Sequence, residues 1–239
     1  MLRIVMFDLD GTLLPMNNDD FTKGYFKFLV KKLAPHGYDP EELIAAIWKG
    51  TAAMVRNDGS RTNYEAFWET FASILGERVY GDQVLFEEFY ANDFNLAKDL
   101  CGYREASGKA VKELKEKGLR VVLASNPLFP MPAQLNRIRW AGVDPEDFEV
   151  ITSYEDSVYC KPNPMYYKAL TGQLGVSPEE CLMIGNDAQE DMAAAEIGMK
   201  VFLMTDDLIN KEGRDISVYP NGDLDKAMEY VYALTGDNE

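Results

Sequence analysis

The chain has 239 residues, with 40 acids against 24 lysines and arginines, for a formal net charge of −16. Without a run of basic residues such a chain is no candidate for nucleic-acid binding, and no stretch approaches the roughly eighteen apolar residues of a membrane span. One histidine, His36 in the loop Pro35-His36-Gly37, and three scattered cysteines, Cys101, Cys160 and Cys181, argue against histidine-based hydrolysis, Cys-x-x-Cys metal sites and a disulfide framework.

Three thiols and an N-terminus that enters a strand directly, with no leader pattern, predict a cytoplasmic protein. That first strand is the apolar run Ile4, Val5, Met6 and Phe7, which ends by releasing Asp8 and Asp10 ahead of Gly11 in the string VMFDLDGTLL. Two acids two residues apart leave a strand on the same side. There they can hold a divalent cation between them, or one can attack while the other shuttles a proton. Gly11 allows a sharp turn and close approach to a ligand. A calcium loop starting at Asp8 fails, because Leu13 stands where that loop's turn needs glycine.

Residues 17–97 read as helical, with nothing that alternates like a strand. Phe21, Tyr25, Phe28 and Leu29 mark a first helix. Asp39-Pro40-Glu41-Glu42 supplies an N-cap, a proline at the first helical position and acids in the first turn, ahead of Leu43, Ile44, Ile47 and Trp48. Thr62 with Glu65 forms a capping box before Phe67, Phe71, Ile74 and Leu75. The aromatics of this block are expected to pack helix against helix. Its polar turns, Asn17 with Asn18 and the stretch Arg56 to Arg61, are the better candidates for ligand contact.

From about residue 98, helices alternate with short apolar strands expected near 119–124, 148–152, 181–185 and 200–204. This pattern predicts an α/β fold with a parallel sheet covered on both faces, its ligand site at the carboxyl edge. The second strand releases Ser125 and Asn126, small donors suited to phosphate oxygens. The following PLFPMP loop could form a rigid wall of the pocket, but a chain reversal is the preferred reading. Lys161 stands in CKPNP before a helix expected from about Pro164. The strand Leu182-Met183-Ile184 ends at Gly185, followed by Asn186, Asp187 and Asp191 and a small-residue helix.

An apolar strand followed by Asp-Leu-Asp-Gly-Thr-Leu, then Ser125-Asn126, Lys161 and the Gly185–Asp191 stretch in that order, resembles the four motifs of the haloacid dehalogenase-like (HAD) hydrolases. This superfamily contains aspartate-nucleophile phosphatases and related enzymes. The resemblance implies a Rossmann-like catalytic core, residues 1–16 and 98–239, with an all-helical cap, residues 17–97, inserted after the first motif. It implies that Asp8 attacks phosphorus to form an aspartyl-phosphate. Asp10 protonates the leaving oxygen and then takes a proton from water. Lys161, the Ser125 hydroxyl, Asn126 and backbone N–H groups near Gly11 hold the phosphoryl oxygens. Mg²⁺ is the expected counter-ion, on Asp8, Asp10 and Asp187. The fourth motif departs from the common pattern, with Asn186 directly after Gly185. The Asp187–Asp191 spacing makes Asp187 the preferred ligand, with Asp191 orienting it, and the Asn186 amide oxygen is an open alternative.

The expected function is therefore Mg-dependent hydrolysis of a small cytosolic phosphomonoester. Transfer of the phosphoryl group to a sugar hydroxyl, as in mutases, and a non-catalytic binding protein on the same fold are the alternatives. The expected partner is a small phosphorylated metabolite, not nucleic acid or a membrane. Oligomeric state is open.

Overall fold

The computed structural model describes residues 1–236. Five parallel strands run in the order β2-β1-β3-β4-β5, with β1 Ile4–Phe7, β2 Arg120–Leu123, β3 Cys181–Gly185, β4 Lys200–Met204 and β5 Asn221–Gly222. β1 lies between β2 and β3 in a shared register, so that Phe7 sits beside Leu123 on one flank and Ile184 on the other. The first, second and fourth expected strands are thus observed within a residue or two, as is the strand at 200–204.

Strand alternation explains why β1, β2 and β3 carry apolar residues on both faces. Val5, Phe7, Val121, Leu123, Leu182 and Ile184 face one core, and Ile4, Met6, Val122, Ala124, Cys181 and Met183 face the other. The first core is completed by helices α6 (Glu105–Glu116), α7 (Met131–Trp140) and α9 (Leu224–Thr235), and the second by α8 (Pro164–Leu174).

Two expectations are corrected here. Residues 148–152 do not form a strand. They follow β2 through the bonds Glu149 N to Val121 O (2.8 Å), Leu123 N to Val150 O (2.9 Å) and Thr152 N to Leu123 O (3.1 Å), but only Ile151 forms a bridge, to Leu123. The small-residue helix after β3 is a short 3₁₀ segment, Met192–Ile197. The short edge strand β5 carries no apolar run that could have announced it.

Between β1 and α6 the chain is helical: α1 Asn18–Leu33, α2 Pro40–Val55, α3 Asn63–Leu75, α4 Arg78–Gly81 and α5 Gln83–Ala91, then a 3₁₀ segment Asp93–Leu100. The start signals act as their chemistry dictates. Asn17 and Asp39 accept from the first-turn N–H groups of α1 and α2, and Thr62 and Glu65 cap each other's backbone in α3. The two crossings into and out of this all-helical cap run side by side, with Met16 bridged antiparallel to Cys101 and Gly102 N donating to Pro15 O (2.7 Å). Among the described residues no helix is long and apolar enough to cross a membrane.

Candidate active site

Asp8 directly follows β1, its N–H still bonded to Ile184 O at 2.9 Å. The chain then turns back within six residues. Leu14 N donates to Leu9 O (2.8 Å), and Gly11 N to Leu14 O (2.8 Å). Gly11 has φ +85°, and a Cβ there would lie 2.1 Å from Asn186 Nδ2. Its contribution is therefore its conformation and its missing side chain. Its N–H, expected near a phosphate, is already engaged inside the turn. The Asn186 amide is committed too: its oxygen accepts from Thr12 Oγ1 (3.1 Å) and its nitrogen donates to Asp207 O (2.7 Å).

Lys161 ties three motifs together. Its buried Nζ donates to Asp8 Oδ1 at 3.0 Å and to Asp191 Oδ1 at 2.6 Å, and the other Asp191 oxygen accepts from Asp187 N at 2.9 Å. Asp191 thus orients both the lysine and the Asp187 turn. Asp187 itself caps that turn, accepting from Gln189 N and Glu190 N at 2.8 Å each.

Asp10 pairs with a partner absent from every motif. Arg137, buried on α7, donates to Asp10 Oδ2, lies over the Phe129 ring at 4.3 Å and also donates to Gln134 Oε1. The other oxygen of Asp10 is buried without a hydrogen-bond partner. Arg137 did leave one sequence signal. Ala133 and Ile138 share its buried helix face, and an arginine interrupting an apolar face needs an acid to meet it.

Ser125 lies at the end of β2, and its carbonyl is fixed by Thr152 Oγ1 (2.7 Å) and Tyr166 Oη (3.0 Å). Asn126 links two sides of the site, its Nδ2 donating to Glu190 Oε2 (2.9 Å) and its Oδ1 accepting from Lys161 N (3.3 Å). Glu190 was not singled out from the sequence, because it lies between the two aspartates of the fourth motif.

Five carboxylates, Asp8, Asp10, Asp187, Glu190 and Asp191, line one cavity of about 280 Å³, against two buried cations, Lys161 and Arg137. The acid excess registers in their protonation. Burial, opposed by Lys161 and reinforced by Asp191 and Asp10, pushes the Asp8 carboxyl up to about 8. Burial raises Asp10 against the pull of Arg137 and Lys161. Asp187 rises mainly through burial, and Glu190 reaches about 7 through burial, with Asp187 and Asp191 adding to it and Lys161 opposing.

Glu190 offers a test of this electrostatic picture. A carboxyl held above its unfolded value of about 4.5 contributes stability that is complete below that value and is lost as pH rises through about 7. In EDTA, Glu190→Gln keeps an oxygen for Asn126 and flattens the fall in Tm between pH 5 and 8. At most about 3 kcal/mol is at stake. An unchanged pH slope in the variant contradicts the assignment.

Above the acids the cavity is walled by cap aromatics, among them Phe26, Trp48, Phe67 and Tyr90. Two sequence expectations are thereby corrected. These rings pack against one another, as expected, but they also enclose the site. Leu128, Phe129 and Pro130 make the PLFPMP loop a wall, not a mere reversal. Of the expected cap contacts, Asn18 lines the cavity and the turn from Arg56 to Arg61 does not.

As placed, no three Asp, Glu, His or Cys side chains among the described residues form a ready metal cage, since Asp8 faces Lys161 and Asp10 faces Arg137. The donor set nevertheless suits a hard divalent cation. It offers carboxylate oxygens only, an uncompensated negative charge and one buried carboxylate oxygen without a partner.

A family model described as haloacid dehalogenase-like hydrolase matches residues 2–198. YhcW of Bacillus subtilis, provisionally named a phosphatase, is 28% identical over 209 residues, covering 85% of this chain and 84% of that protein. The pyrophosphatase PpaX of Bacillus cereus is 23% identical, covering 83% and 81%. Among solved structures, a HAD phosphatase from Thermococcus onnurineus superposes with a TM-score of 0.57 over 98% of both chains at 18% identity. The family match runs from β1 to the end of the fourth motif, and with it the chain belongs to the haloacid dehalogenase-like hydrolases.

Proposed function

We propose that this chain is a Mg²⁺-dependent phosphatase that hydrolyses a small cytosolic phosphomonoester through a phosphorylated Asp8. The observation that carries this reading is the convergence of three separate stretches of sequence, buried Lys161 bonding Asp8 at 3.0 Å and Asp191 at 2.6 Å, beside a cavity lined by Asp8, Asp10, Ser125 and Asp191.

In this reading an Asp8 oxygen forms a bond to phosphorus as the bond to the leaving alcohol breaks. Asp10, kept protonated part of the time by its burial, gives its proton to that oxygen. Asp10 then receives a proton from the water that cleaves the aspartyl-phosphate, releasing inorganic phosphate and restoring both acids. Arg137 holds Asp10 in position and limits how far its pKa can climb. Lys161 and the Ser125 hydroxyl hold phosphoryl oxygens, with Asn126 bracing Lys161 and Glu190. Mg²⁺ would be held by Asp8, Asp10 and Asp187, since the Asn186 amide is occupied by Thr12 and Asp207. When bound, it offsets the repulsion between a dianionic phosphate and the carboxylates.

The division into core and cap belongs to the same proposal. It is supported by the paired crossings at Met16 and Cys101, though the helical block continues to Leu100, three residues beyond the boundary expected at 97. The experiment is release of inorganic phosphate from an aryl phosphate by purified protein. Activity is expected with Mg²⁺ and is lost in EDTA. Equal turnover in EDTA contradicts the metal requirement.

A further inference from the structure

The cavity has a lining to which the cap contributes mainly aromatic and aliphatic side chains. Its walls are rings, Phe26, Trp48, Phe67, Trp68, Tyr90 and Phe129 among them, many set edge to face: Phe26 on Trp48 at 5.5 Å and 78°, Phe67 on Trp68 at 5.5 Å and 86°. Several of the polar ends among the lining rings meet one another. The Tyr25 and Tyr90 hydroxyls lie 2.9 Å apart, and Trp68 Nε1 donates to Tyr154 Oη at 3.4 Å. Asn18, Thr22 and Thr51 are the short polar side chains that remain, and Lys211, exposed, is the one cation in the lining. Lys161 and Arg137 lie beside the acids Asp8, Asp191 and Asp10.

Resting on the phosphatase reading above, we infer that the substrate is a phosphate monoester of a small aromatic alcohol, its ring held among the cap aromatics while its phosphate meets Asp8. Size is compatible with it, and the lining favours it. A cavity of about 280 Å³ lies at the small end of the range for small-molecule sites, about 300–1,000 Å³, and suits a phosphate with a single ring. Edge-to-face walls leave slots in which a further ring continues the same packing. A sugar would bring several hydroxyls against a lining made mostly of ring and aliphatic carbon, and each one left without a partner weakens binding roughly tenfold. Pyrophosphate would leave an anion facing rings and acids with one exposed lysine nearby.

The test compares kcat/KM for 2-phenylethyl phosphate, glucose 6-phosphate and pyrophosphate with Mg²⁺. The first two are both esters of primary alcohols, so leaving-group reactivity does not decide between them. An advantage of about 100-fold for the phenylethyl ester is expected. Trp48, half-exposed at the cavity wall, is replaced by Ala and by Phe. Trp48→Ala is expected to shrink the phenylethyl-to-glucose ratio about tenfold, and Trp48→Phe to restore most of it. A phosphonate probe, 2-phenylethylphosphonate, is expected to quench tryptophan fluorescence in wild type at concentrations where glucose 6-phosphate does not.

Faster turnover of glucose 6-phosphate or pyrophosphate overturns the aromatic assignment and leaves the phosphatase reading standing. So does an unchanged ratio in Trp48→Ala. No release of phosphate from any of the three, with Mg²⁺ present, overturns both.

Discussion

Asp8→Asn lowers kcat for phosphate release by about 10⁴-fold or more, with the fold intact. The size of the effect follows from its chemistry, because an amide oxygen at that position cannot supply the electron pair that forms a stable acyl-phosphate. The fold survives for reasons equally local. Asn has the same shape, its Oδ1 can still accept from Lys161 Nζ, and Lys161 keeps its 2.6 Å bond to Asp191. The substitution also removes an acid that burial holds far above its ordinary range, so Tm is expected to stay level or rise. Circular dichroism and thermal melting report the fold, and phosphate release reports turnover. A variant that retains more than about a tenth of wild-type kcat contradicts the role given to this side chain.

Lys161→Met is expected to damage stability and activity together. The methionine stem fills the volume of the buried lysine, but Asp8 and Asp191 then face each other with no cation between them. Removing one partner of a buried ion pair costs about 3–5 kcal/mol, because the remaining charges stay buried. Losing a phosphoryl-holding donor costs about 10²–10³ in kcat. The two effects separate in the double variant Lys161→Met/Asp191→Asn. With one acid neutralised, most of the lost stability returns, measured by urea denaturation, while kcat stays low. If the single variant melts like wild type, the Asp8–Lys161–Asp191 bridge does not hold the site together.

The motifs were legible because a parallel sheet brings strand ends to one edge. Once β1, β2 and β3 are recognised as apolar runs, Asp8, Ser125 and the Asp187 turn must fall close together, however far apart they lie in the chain. The helix starts at Asn17, Asp39 and Thr62 were legible for a different reason, since capping is settled within four residues.

What escaped depended on tertiary contact. Arg137 meets Asp10 across 127 positions of sequence, and nothing local to either residue names the other. Glu190 gains its character from burial beside Asp187 and Asp191. The stretch 148–152 has the composition of a strand but runs along the outer flank of β2, where a single bridge forms. The cap aromatics have helical spacing whether they face one another or a ligand, so only the folded arrangement reveals that they do both.

The central claim is a covalent bond, and rapid-quench mass spectrometry during turnover with Mg²⁺ tests it most directly. Acid-quenched protein is digested, and the peptide carrying residues 4–14 is examined for a phosphoryl group. The account predicts that this group is present on Asp8 during turnover, absent in Asp8→Asn and lost on treatment with hydroxylamine. Steady turnover with no phosphoryl group on that peptide, or with the group on another residue, contradicts it.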